Sequence, residues 1–164
     1  MTDPKSEEAK VIKANRGLQT KVGTGQLDED LLAKCQSVMD GNDVDFEPMA
    51  KEFLNLLGDA IKNAKEPGAN TKKVIHSMTA PVMQLKANAA LFKFNLVGSL
   101  ANVMLSFLES VEELDKDAIA IVEAHHKTLS AIIIKNMKGD GGTFGKQMEE
   151  ELRNACKRYY ARAS

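Results

Sequence analysis

His125 and His126 are the side chains in this chain best suited by type to chemistry, and they adjoin Glu123, Lys127 and Thr128. An imidazole near neutral pH serves as proton carrier, metal ligand or nucleophile. As a phosphoacceptor, either histidine needs a ring nitrogen open to a docking receiver domain, with Lys127 and Thr128 placed to meet phosphate oxygens. As a metal ligand, Glu123-Ala124-His125-His126 supplies one Glu-x-x-His pair, the spacing that sets two ligands on one helix face in di-iron bundles. Such sites need a second pair and two further inward glutamates. The remaining histidine, His76, has Lys73 three residues before it, and Glu109, Glu112 and Glu113 cluster at a helix end. No metal site is expected. The preferred reading is a pair of partly covered core histidines with hydrogen-bonded rings.

The second feature is the glycine-rich run Lys138-Gly139-Asp140-Gly141-Gly142-Thr143-Phe144-Gly145-Lys146. A phosphate-binding loop of the Gly-x4-Gly-Lys-Ser/Thr type follows a strand; here Asp140 takes the first glycine position, Gln147 replaces the hydroxyl residue, and a helix precedes it. A kinase glycine loop lies between strands, and none is predicted. The run therefore reads as a helix–helix turn whose glycines adopt positive φ and whose Thr143 caps the next helix. Amides ahead of a helix can still hold an anion, so Lys127, Lys138, Gly139, Gly141, Gly142 and Thr143 are the candidate contacts for an anion or a partner.

Lys135-Asn136-Met137-Lys138-Gly139, followed six residues later by Gly145, resembles the His-x-x-Lys-Gly…Gly signature of histidine phosphotransfer (HPt) domains. The resemblance covers about eleven residues, and it sets Lys135 where the family has its phosphorylated histidine. It implies an HPt-like bacterial helical signalling protein, of the two-component and chemotaxis kind, that is not phosphorylated at that position. The family carries this signature inside a helix.

Periodicity supplies the elements that position these residues. Residues 1–26 read as a flexible N-terminal arm, with a short helix over 5–14. Residues 27–164 read as a single helical domain. Its first helix spans Asp28 to Met39, with Leu31, Leu32, Cys35, Val38 and Met39 on one face. The second follows Asp45 and carries Phe46, Met49, Phe53, Leu56, Leu57, Ala60, Ile61 and Ala64 inward. Thr71 caps a third, which Pro81 kinks or divides. Leu91 to Asn95 form a tight connector. A fourth helix covers Leu96 to Leu114, and a fifth covers about 116–138. This last is apolar nearly all round and reads as the central strut, with His125 about 40° and His126 about 60° from its apolar centre at about 100° per residue. A sixth, with Phe144, Met148, Leu152, Ala155, Cys156 and Tyr159 inward, follows the glycine turn. The fold class is all-α, an antiparallel bundle of five to six helices.

Bulk properties narrow the function. Lys and Arg number 22 against 23 Asp and Glu, for a net charge of −1, which lacks the basic excess of an electrostatic nucleic-acid binder. The run Lys157 to Arg162 places cations at a helix C-terminus, where the dipole favours them. Two cysteines, Cys35 and Cys156, are too few for a disulfide framework and fit a reducing compartment. No leader is visible, and the most apolar run, Leu96 to Leu108, is too short to span a bilayer. The expectation is a cytoplasmic, non-enzymatic signalling or adaptor protein without a cofactor, binding a protein partner such as a receiver domain, or a second copy, through a helical face. The alternatives are histidine phosphotransfer through His126 or His125, and small-molecule or metal binding within the bundle.

Overall fold

The structure is a computed structural model; it describes Gly17, Thr20, Lys21, Gly23, residues 28–41 and residues 44–163. The expected arm and its helix over 5–14 otherwise lie outside the described residues. From residue 28 onward the described chain is all-α. It runs α1 (Glu29–Asp40), α2 (Phe46–Ala64), α3 (Thr71–Ala89), α4 (Asn95–Ser110), α5 (Lys116–Ile134) and α6 (Gly142–Ala163). The chain divides into two compact units, Met1–Asn42 and Asp43–Ser164. In the first unit, α1 has no buried residue.

In the second unit α2, α3, α4 and α5 close a ring of neighbours: α2 on α3, α3 on α4, α4 on α5 and α5 on α2. Register shows the directions. Lys86 bonds Asn102 while Ala89 faces Gly98, so α3 and α4 run oppositely. Leu54 pairs with His126 and Lys65 with Glu123, so α2 and α5 do too. The short link between α3 and α4 fits an antiparallel pair. The sixth helix lies on α4 and α5, parallel to the former, since Leu96 meets Gly145 and the Phe107 carbonyl meets Tyr160.

Local chemistry sets each boundary. Asp45 Oδ1 accepts from the Glu47 amide at 2.9 Å and opens α2. Asn70, rather than Thr71, caps α3, accepting from Lys73 N at 3.0 Å; an amide oxygen one residue earlier reaches the free amide. Pro81 does not divide α3. It is buried on the bundle face, and packing on both sides of it holds the two halves in one helix although proline removes a backbone bond. Four residues earlier than expected, α4 ends at Ser110, and Val111 turns extended (ψ 126°). Glu109, Glu112 and Glu113 crowd the negative end of that helix dipole, which opposes continuation.

The central strut is α4, not α5. Nine of the 16 residues of α4 are buried, against seven of the 19 in α5, although each of the two touches three other helices. On α5, Ala120, Lys127, Ala131 and Ile134 face solvent. Two stripe assignments also move: Leu56 and Phe144 are both more than half exposed. Phe144 gives up the inward position to Gly145, which is buried against Leu96.

One end of the bundle is tied together by its links. The connector at 90–94 packs Phe92 and Phe94 on Phe46, with ring centroids 4.9 and 5.2 Å away, as its spacing led us to expect. Gly139 N donates to Lys93 O, and Leu96 N donates to Gly139 O at 2.9 Å. The glycine turn thus caps α4, whose own Phe94 offers no capping side chain.

Candidate functional site

Helix α5 carries both histidines, and the bundle treats them differently. His125 is fully buried. Its Nδ1 lies 2.9 Å from the Ile121 carbonyl; a carbonyl only accepts, so Nδ1 carries the proton and the ring is the neutral Nδ1–H tautomer. Nε2 is buried and has no hydrogen-bond partner. Burial among apolar side chains pushes the His125 pKa below its ordinary 6.5, only partly opposed by the Ile121 bond. The unfolded state therefore takes up a proton at higher pH than the folded state does. The sign follows: the bundle keeps full stability above about pH 6.5 and loses it as pH falls below, by at most about 1.4 kcal/mol per pH unit. We expect urea midpoints to drop between pH 7.5 and 5.5, and His125→Phe to flatten that drop. An unchanged slope in the variant would place the buried titration elsewhere.

His126 is half-buried and serves as a bridge. Its Nε2 lies 3.0 Å from the Leu54 carbonyl of α2, which makes Nε2 the donor. The ring lies against Gly58, where a β-carbon would stand 3.5 Å from Nε2, in ordinary van der Waals contact. These contacts correct the phosphoacceptor assignment for His125, which no receiver domain can reach, and occupy Nε2 of His126 in joining two helices. His76 is exposed on α3. Among the described residues no three His, Cys, Asp or Glu side chains converge as a metal site would require.

Glu123, three residues before His126, instead pairs with Lys65 at 2.5 Å. That hydrogen bond holds the Glu123 carboxyl below its ordinary value, with Lys127 adding a smaller pull. The pair rims a groove of about 590 Å³ between the end of α2 and the start of α5, floored by Ala64, Leu114 and Ile119. The pairing was not legible in the sequence, because the partners stand 58 residues apart.

The candidate anion contacts do not form one site. Lys127 is exposed in the middle of α5, about two helical turns before the helix ends. Lys138, Gly139, Gly141, Gly142 and Thr143 lie in and just after the α5–α6 turn. Thr143 is not the cap: Asp140 Oδ1 accepts from Gly142 N at 2.9 Å, and Gly141 O accepts from Gly145 N at 2.9 Å. A carboxylate already occupies the position an anion would take. Lys135 closes α5, and Asn136 turns left-handed (φ 48°). Met137 N then bonds Ile132 O at 3.0 Å and Asn136 N bonds Ile133 O at 2.9 Å, the Schellman pattern with asparagine in glycine's place. The HPt-like segment thus leaves the helix at the residue standing for the histidine.

Tyr159 and Tyr160 anchor α6, donating to Glu113 O at 3.3 Å and Phe107 O at 3.2 Å; burial raises both phenol pKa values. Burial likewise pushes the Cys156 thiol up, whereas Cys35 is exposed. Cys35 lies on α1, where the largest apolar exposure of the described chain is gathered. Leu31, Leu32, Val38 and Met39 are 58%, 48%, 76% and 49% exposed. The stripe was legible from its spacing, but its lack of cover was not. Asp28 Oδ1, accepting from Asp30 N at 2.9 Å, opens this helix, and Gly41 N closes it on Ser37 O.

No family model matches the chain, and neither a curated protein nor a solved structure matches it. No helix among the described residues is long and apolar enough to cross a membrane.

Proposed function

We propose that this chain is a non-enzymatic binding protein that engages a protein partner through the open apolar face of α1, as a signalling adaptor does. The observation that carries this reading is that α1 has a complete amphipathic stripe and not one buried residue. A short helix is marginal in water without a surface to pack on, and an exposed apolar face of this kind marks an interaction site. The exposed thiol of Cys35 suits a reducing compartment such as the bacterial cytoplasm. A two-component receiver domain is one partner that fits the HPt-like resemblance, and a second copy of the chain is another. The two histidines of α5 serve the bundle, one inside the core and one across α2.

The test is a photo-cross-linking residue at Gln36, beside the stripe, in cells producing the full chain. The reading expects adducts of defined mass that vanish with Leu32→Ser and Val38→Ser together, while the purified variant unfolds at the same urea concentration as wild type. Absence of adducts, or adducts indifferent to the stripe, overturns it.

A further inference from the structure

The least enclosed helix of the second unit is α6. Six residues are buried on each of α2 and α3, nine on α4 and seven on α5. Among the described residues of α6, only Gly145, Leu152 and Cys156 are buried. Beyond Cys156 the helix is held by the rings of Tyr159 and Tyr160, their O–H bonds of 3.3 and 3.2 Å, and the exposed Arg162–Asp117 pair. Packing as sparse as this marks a segment that opens locally while the rest stays folded.

Beneath α6 lies the one buried polar side chain of the described core. Asp117, Ala120 and Ile121 of α5 face Ala155, Arg158, Tyr159 and Arg162 of α6 across a cleft of about 210 Å³, and Asp117 pairs with Arg162. The two helices are therefore antiparallel. One turn beyond Ile121 the register sets His125 level with Asn154, between the buried Leu152 and Cys156. His125 continues the Ile121 side of α5, with Nδ1 on the Ile121 carbonyl, and its Nε2 is enclosed without a partner. No neighbouring group stands ready for a second imidazole proton. Before Glu109, α4 has no ionisable side chain. On α6, Glu149 is tied to Arg153 and the Cys156 thiol is held neutral by burial. The α2 helix meets another side of α5, where Glu123 binds Lys65 and His126 binds the Leu54 carbonyl, and α3 does not touch α5.

We propose that α6 is a latch released by protonation of His125: an imidazolium there must reach water through Nε2, so α6 peels from its Tyr159–Tyr160 end toward the glycine turn while the α2–α5 ring stays folded. The open form takes up the proton as an ordinary histidine does and the closed form resists it, so falling pH favours opening. Opening bares Phe107, on which both tyrosine rings pack, and converts proton uptake into exposed apolar surface.

Cys156 reports the open form. In the Cys35→Ser chain it is the one remaining thiol, and dithiodipyridine labels thiols even in mildly acid solution. Its labelling rate, divided by that of the urea-unfolded chain at the same pH, is expected to rise about tenfold from pH 7.5 to 5.5, as uptake of one proton near pH 6.5 requires. In His125→Phe the profile is expected to be flat. Hydrogen exchange on the unsubstituted chain, corrected for intrinsic rates, needs no change at position 125. Over the same pH range it is expected to quicken about tenfold at the amides of 150–163 and to stay constant in α2 and α3. A flat labelling profile with His125 present, or an equal rise without it, overturns the latch. Equal quickening throughout α2–α6 overturns it as well, because the opening is then global, and quickening confined to α2 and α5 would put the proton on His126 instead.

Discussion

Replacing Phe107 with alanine is expected to cost the bundle about 3–5 kcal/mol, a large part of the roughly 5–15 kcal/mol that holds a domain together. Phe107 is 1% exposed in the last turn of α4, a helix that touches three others. Its ring centroid lies 5.5 Å from that of Tyr159, edge to face, and 5.8 Å from that of Tyr160. The two tyrosines are themselves 5.7 Å apart and edge to face, so the three rings form one contact triangle between α4 and α6. Truncation removes the ring that both tyrosines pack on and leaves a void that their tethered hydroxyls keep from collapsing. Urea denaturation at pH 7.5 checks the size of the effect. A loss below about 1 kcal/mol would mean that α6 repacks freely, and that the tyrosines do not hold it. Phe107→Leu, which keeps most of the apolar volume, is expected to lose less than half as much.

This cluster illustrates what the sequence made legible. Inward positions on α2, α3 and α4 follow from spacing alone, and Phe46, Leu57, Met78, Leu85, Leu100 and Phe107 are all buried. Periodicity identifies a face; it does not say how much of the helix is enclosed. For that reason α5, with its isoleucines and alanines, reads as the strut, although the longest apolar run, Leu96 to Leu108, lies in α4. Boundaries failed where a competing short-range group won: Asn70 over Thr71, Asp140 over Thr143, and Asn136 ending α5 before the glycines.

The site was legible in part, and for a related reason. The core reading of the histidine pair follows from the helical wheel, and His125 obeys it. The bridge from His126 to Leu54 spans 72 residues of sequence. Such a pairing leaves no local pattern. The α1 stripe is the reverse case: its residues are plain in sequence, but whether a stripe is covered depends on the rest of the chain. The same spacing describes a core helix and an open docking helix, and only the burial of its neighbours separates them.

Gly145→Ala is expected to destabilise the bundle by about 3 kcal/mol, far beyond the usual effect of adding one methyl group near a helix start. A β-carbon at Gly145 would run into the Asp140 carbonyl oxygen, standing 3.0 Å from the carbonyl carbon and 3.3 Å from Leu96 Cδ1. The colliding group is backbone, so it moves only if the whole turn moves. That turn is held by Gly139, which donates to Lys93 O and accepts from Leu96 N, so shifting it also uncaps α4. The effect should therefore appear at two places: a lower urea midpoint, and faster hydrogen exchange at the Leu96 amide. Gly142→Ala is the matched control. Its φ of 57° strains any side chain, but nothing lies within 4 Å of the new atom, and the cost should stay near the roughly 1 kcal/mol of a left-handed residue. If the two alanines cost the same, backbone strain alone explains the turn, and the close approach of Gly145 to α4 carries no weight. If Gly145→Ala alone is severe, this glycine is present because α6 begins pressed against its own turn, and not to cradle an anion.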